Sequence, residues 1–326
     1  MTDRAPQQLK AARALAEFGY GFNEGERVCF ACSGCDFPLF SSAEGKLRQL
    51  DAHTGAITDK GFEFAMYKEH KENQKRYEQI GEVITDYVYE RLEAVGMERL
   101  PVPVDPAPPL STFVFSTAKE LNRPEKLLLL IHGSGVVKAG QWSRSLIINH
   151  SIAAGTQLPY IESARKQGFE ILVTNTNDNI VNGKPIPGSE DSVEHAVYVW
   201  EKYVLPANPK SVAIVAHSYG GIVTLALARK YPVFFKEKVF AIGLTDSVHL
   251  GIKGCTKEFR DYIKSISRNW VRSEKPLDTK LATGDPDDVP HYSAGHMQHE
   301  WTSHTCMSAL FDFFRERHEA FQRAQK

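Results

Sequence analysis

The chain has 326 residues, and 39 Lys and Arg against 40 Asp and Glu leave a formal charge of -1. Hydrophobic residues at 42% and charged residues at 24% are the mix of a folded globular protein, which excludes wholesale disorder. No apolar run approaches the ~18 residues of a membrane span, and a near-neutral balance supplies no global field for a polyanion, so no direct nucleic-acid binding is expected.

Residues 1–20 lack the continuous apolar core of a signal peptide, because Arg13 and Glu17 interrupt it. The expectation is an intracellular protein, nuclear or cytoplasmic, and not a secreted one. Residues 21–60 are rich in Gly, Ser, Asp and Cys without sustained periodicity, and read as loops with short strands at most. Cys29, Cys32 and Cys35 form C-x-x-C-x-x-C. A closed zinc site needs a fourth ligand, for which only His53 offers itself, so reduced thiols and no metal are expected.

From Tyr67 to Val95 the pattern changes. Tyr77, Ile80, Ile84, Tyr87, Val88, Arg91 and Leu92 advance in steps of three and four, the spacing of one helical face, and Gly96 lies where that helix would end. The stretch PVPVDPAPP (101–109) cannot continue a helix, since each Pro lacks an amide donor and restricts its predecessor. It reads as a connection, dividing an N-terminal extension, 1–109, packed on the core, from a larger domain, 110–326.

Beyond it apolar strands alternate with helices. STFVFS (111–116), KLLLLIHG (126–133), FEILVTN (169–175), SVAIVAHS (211–218) and KVFAIGLTD (238–246) read as strands, the continuous runs as strands covered on both faces. Helices are expected near 157–167, 190–204, 220–231 and 303–322. Alternation of this kind predicts a mostly parallel central sheet with helices on both faces, an α/β class.

Three features converge on one chemistry. Ala216-His217-Ser218-Tyr219-Gly220-Gly221 lies between an apolar strand and a helical run, and matches the G-x-S-x-G elbow with Ala for the first Gly. A sharp strand-to-helix turn needs small neighbours, and it presents Ser218 beside unpaired helix amides that favour developing negative charge. Read blandly, Ser218 is an N-capping serine. Ile131-His132-Gly133-Ser134-Gly135 ends another apolar strand, so the amides of Gly133 and Ser134, with that of Tyr219, could form an oxyanion hole. Alone, this would be a glycine turn leaving a buried strand. Downstream come an acid and a base. Asp246 ends a strand, with Asp278 as rival, and the base is one of His296, His299 and His304 before the last helix, with His249 and His291 also near.

These residues stand in blocks that resemble the Argonaute-binding-protein-two domain family, animal cotranscriptional-regulator branch, a division of the α/β-hydrolase superfamily. The blocks are NQKRYEQIGEVITDYVYERLE (73–93), KLLLLIHGSGVVKAGQWSRSLIIN (126–149), EHAVYVW (194–200), VAHSYGG (215–221), LTDSVH (244–249) and SAGHMQHE (293–300). The resemblance runs from Leu15 to Phe314. It implies an α/β-hydrolase-like fold, Ser218 as nucleophile and His299 as base. It also implies a role in alternative splicing, small-RNA silencing or chromatin, with Argonaute and chromatin or splicing proteins as partners. No cofactor is expected. Two departures stand out: GERVCFACSGCDFPLFSSAEG (25–45) looks inserted, and a short TNDNIVNGKPIPGSE (176–190) replaces the charged segment of longer animal members.

Overall fold

The computed structural model describes residues 9–23, 45–107, 109–249 and 255–325. The C-x-x-C-x-x-C motif and the 25–45 insertion, its last residue excepted, lie outside the described residues. The chain divides into two compact units, Met1–Gly96 with Ser143–Pro159, and Met97–Trp142 with Tyr160–Lys326.

In the first unit a short antiparallel ribbon pairs β1 (Tyr20–Asn23) with β2 (Lys46–Gln49). The helix expected from periodicity spans His70–Ala94, and its buried stripe includes Ile80, Ile84, Val88 and Leu92 at intervals of four. Arg76 lies on this buried face, and among the described residues no acid pairs with its guanidinium. Its Nη2 instead donates to the Tyr20 hydroxyl at 3.1 Å and its Nη1 to the Glu63 carbonyl at 3.0 Å, which satisfies a charge that burial would otherwise penalise.

The second unit is built on a nine-stranded sheet. In chain order its first strands are β3 (Glu98–Ala107), β4 (Leu110–Ser116), β5 (Leu127–Ile131) and β6 (Glu170–Val173). A two-residue ribbon, β7 (Ile180–Val181) with β8 (Lys184–Pro185), stands apart. The sheet resumes with β9 (Val212–His217), β10 (Val239–Thr245), β11 (Ser267–Val271), β12 (Lys280–Leu281) and β13 (His291–Ser293). Their order is β12-β13-β11-β10-β9-β5-β6-β4-β3. Neighbours from β6 through β5, β9, β10 and β11 to β13 are parallel, while β4 and β12 run against the rest. Every residue of β5, β9 and β10 is buried, as both-face coverage requires. Each fully buried Leu or Ile there contributes about 1.5–3 kcal/mol.

The helices Leu158–Lys166, Ser192–Val199, Gly220–Lys230 and Met307–Ala324 fall where the alternation placed them, and Lys257–Ile266 is a further one. PVPVDPAPP differs from its reading as a connection. Most of it belongs to β3, antiparallel to β4, with Pro101 opposite Phe113. The strand stands at the sheet's edge, where a residue without an N–H can sit with that side unpaired. The strand order, the reversed β4 and the helix that follows β9 through a single sharp turn make this an α/β-hydrolase-like fold. Among the described residues no helix is long and apolar enough to cross a membrane.

Candidate functional site

Segments that follow β5, β9, β10 and β13 at the carboxyl edge of the parallel sheet supply the predicted residues. β9 ends at His217, and Ser218 turns the chain into the helix Gly220–Lys230 with φ of +53°. A non-glycine residue in this left-handed region is strained by about 1–2 kcal/mol. The turn is held from three sides. Ser218 N–H donates to the Thr245 carbonyl at 3.1 Å, and its carbonyl accepts from Gly221 and Val248 at 3.1 and 3.2 Å.

β10 ends at Thr245, and Asp246 follows, also left-handed at φ of +43°. Its Oδ2 lies 2.5 Å from His299 Nδ1, in the first turn after β13. Arg272 Nε approaches the same oxygen at 2.7 Å, and the Arg272 amide donates to Oδ1 at 3.3 Å. Burial pushes this carboxyl up, but the His299 hydrogen bond, the Arg272 amide and the Arg272 guanidinium outweigh it and hold it below the usual carboxylate range. With Asp246 ionised, His299 carries its proton on Nδ1 and presents Nε2 to whatever stands opposite.

The rivals are occupied elsewhere. Asp278 Oδ1 accepts from Trp270 Nε1 at 2.9 Å and faces Arg268, not a histidine. His296 packs on Trp301 with centroids 5.2 Å apart, and its Nδ1 accepts from the Gln298 amide. His304 meets the same indole edge-on, with centroids 5.7 Å apart. The structure therefore brings Asp246 to His299. Among the described residues no hydrogen bond joins Ser218 to His299. Such bonds are often long without a ligand and tighten in the substrate complex.

Gly133 leaves β5 beside the elbow, where a Cβ would stand 3.0 Å from Ser218 Cβ. Ser134 is exposed, and Tyr219 half-buried. The glycine turn rests on residues that motif reasoning missed. Asn177 Nδ2 donates to the Gly133 and Val137 carbonyls at 2.9 and 3.0 Å. Asn175 Oδ1 accepts from the Ala139 amide at 2.9 Å, while its own N–H donates to His195 Nε2 at 3.1 Å. That bond fixes the His195 tautomer, so Nδ1–H donates to Ser189 Oγ at 2.9 Å, and Ser189 donates in turn to the Asp178 carbonyl. Burial pushes His195 down to about 3 and His132 down to about 4, so both rings are neutral at physiological pH. Their signal in sequence was only the block TNTNDN after a strand.

His217 is also neutral, pushed down to about 3 by burial and by the neighbouring His299. Its Nδ1–H donates to the Thr245 carbonyl at 2.9 Å, and Ser303 Oγ stands 3.2 Å from the same nitrogen. Trp142 meets the ring edge-on with centroids 6.3 Å apart.

A family model described as "Arb2 domain" matches residues 36–277. The chain is 37% identical over 314 residues to the "Cotranscriptional regulator ARB2A" of Mus musculus, covering 79% of this chain and 75% of that one. To the Caenorhabditis elegans "FAM172 family protein homolog Y75B8A.31" it is 37% identical over 246 residues, covering 73% and 76%. Among solved structures, "Structure of the histone deacetylase Clr3" aligns with 83% of this chain and 42% of that one, at 15% identity and a TM-score of 0.48.

Proposed function

Because the chain belongs to the Arb2 domain family, we propose that it is a regulator of transcription-coupled events whose hydrolase-like site performs acyl transfer at Ser218. The observation that carries the chemistry is the 2.5 Å contact of Asp246 with His299 Nδ1, at the sheet edge where Ser218 occupies a strained elbow. His299 Nε2 takes the Ser218 hydroxyl proton as Oγ attacks the carbonyl carbon of an ester, thioester or amide. The carbonyl π electrons move onto oxygen, and the amides of Gly133, Ser134 and Tyr219 receive that charge. Collapse expels the alcohol, thiol or amine, which leaves with the proton from His299. Water then repeats the sequence and frees the acid.

The regulatory half of the reading is a nuclear role with Argonaute and chromatin or splicing proteins as partners, and what supports it is that relatives are named cotranscriptional regulators. A fluorophosphonate probe tests the chemical half. Wild-type protein is expected to label and Ser218→Ala to stay unlabelled, whereas a folded wild type that does not react overturns it.

One observation favours a second reading, a scaffold that keeps the site without using it. No hydrogen bond joins Ser218 to His299 among the described residues. Restoration of splicing or silencing by Ser218→Ala in cells lacking the native protein would make catalysis dispensable, and failure to restore them would tie the regulation to the site.

A further inference from the structure

The loop after β10 carries two side chains that the proposed acyl transfer does not use, Ser247 and His249. His249 is almost wholly buried, with its side chain 3% exposed, and its Nε2 lies 2.7 Å from Asp288 Oδ1. The other oxygen of that carboxylate, Oδ2, lies 3.3 Å from His291 Nε2. His291 Nε2 is buried yet makes no hydrogen bond, because it stands near the carboxylate without being aligned as a donor to it. The two rings are nearly perpendicular, at 85° with centroids 6.5 Å apart, so they do not stack on each other. Two imidazole nitrogens and one carboxylate therefore converge, with one ligand atom of each within 4.8 Å of the others.

We propose that His249, Asp288 and His291 bind one divalent transition-metal ion of the zinc class. Nitrogen and oxygen donors in this combination suit Zn2+, and three protein ligands leave a fourth tetrahedral position open to water. Among the described residues no fourth His, Cys, Asp or Glu joins the group.

Ser247 backs the His249 ring. Its Oγ lies 3.2 Å from His249 Nδ1. A metal on Nε2 requires the proton on Nδ1, and Nδ1–H then donates to Ser247 Oγ, the outer contact that orients a ligating histidine. Ser247 is itself fixed. Asn269 Oδ1 accepts from its amide at 3.1 Å, and its Oγ occupies the space above Gly221, where a Cβ would stand 1.7 Å away. Asp288 Oδ1 accepts from the Val289 amide at 2.8 Å, which orients the carboxylate. The ion would tie the loop that carries Asp246 to the chain entering β13. The group departs from the expectation of no metal, and no motif spacing announces it, because His249 and Asp288 are 39 residues apart.

The test uses the full chain, stripped by chelator and titrated with Zn2+ and with Co2+. Cys29, Cys32 and Cys35 offer competing thiolates, so the same titrations are run on the Cys29→Ser, Cys32→Ser, Cys35→Ser protein. This triple variant is expected to bind one equivalent of Co2+, with visible d–d bands and without sulfur-to-cobalt charge transfer. Asp288→Asn or His291→Gln in that background should lose at least about tenfold in affinity, and the milder Ser247→Ala about tenfold. Unchanged far-ultraviolet circular dichroism separates loss of ligands from loss of fold. No binding by the triple variant, or binding undiminished by Asp288→Asn and His291→Gln, overturns the assignment.

Discussion

The neutral ring of His217 packs against His299 with centroids 4.6 Å apart and 33° between their planes. Thr245 holds the first ring through its carbonyl, and the same carbonyl accepts from the Ser218 amide. One backbone oxygen therefore fixes both the elbow and the surface on which the proposed base lies.

His217→Leu removes the donor to Thr245 and the ring on which His299 packs. The expected result is a loss of about 1–3 kcal/mol in stability by urea unfolding. Fluorophosphonate labelling should slow by up to about 100-fold, since a displacement of roughly 1 Å at a reacting group costs that much.

Strain at Ser218 separates two substitutions that both remove the nucleophile. Ser218→Gly should be more stable than Ser218→Ala by about 1 kcal/mol, because only glycine adopts a φ of +53° without cost. Thermal unfolding of the two variants measures this, and neither should label.

Asn177→Ala leaves the Gly133 and Val137 carbonyls without the donor they share. Destabilisation of about 1–3 kcal/mol is expected. The glycine turn that receives the developing negative charge would loosen, so the labelling rate should fall while Ser218 stays in place. Peptide mapping then finds the label on Ser218 still.

His132, His195 and His217 are held neutral by burial, with values of about 4, 3 and 3. Their folded values lie below the unfolded one near 6.5, so the unfolded chain binds more protons as pH falls. The stability they support is fully present above about 6.5 and declines below it, by up to about 1.4 kcal/mol per pH unit for each ring. Urea midpoints measured between pH 7 and pH 4.5 should fall steeply. His195→Gln, which removes one titrating ring, should flatten the slope.

The fold was legible where one local pattern decided it. KLLLLI and VAIVAH could be little else than strands buried on both faces, and the small residues around Ser218 announced a sharp turn. β3 was not legible, because its prolines argue against a strand everywhere except at a sheet edge, and edge position is a property of the assembled sheet. Spacing alone does not choose between Asp246 and Asp278, and Asp246 is favoured in the sequence because it ends a strand whereas Asp278 follows no obvious one. The structure separates them through Trp270, which takes Asp278. The asparagine and histidine props under the glycine turn, and the group around Asp288, join residues far apart in the chain that no motif spacing connects.

In the proposed chemistry Ser218, His299 and the amides after β5 act together on a carbonyl. The most direct measurement is the crystal structure of protein treated with a small phosphonate. The expected result is continuous density from Ser218 Oγ to phosphorus, a phosphonyl oxygen facing the amides of Ser134 and Tyr219, and His299 Nε2 within hydrogen-bond reach of Oγ. A folded, unmodified Ser218 with Trp142 or Tyr219 filling the space before it would contradict the claim.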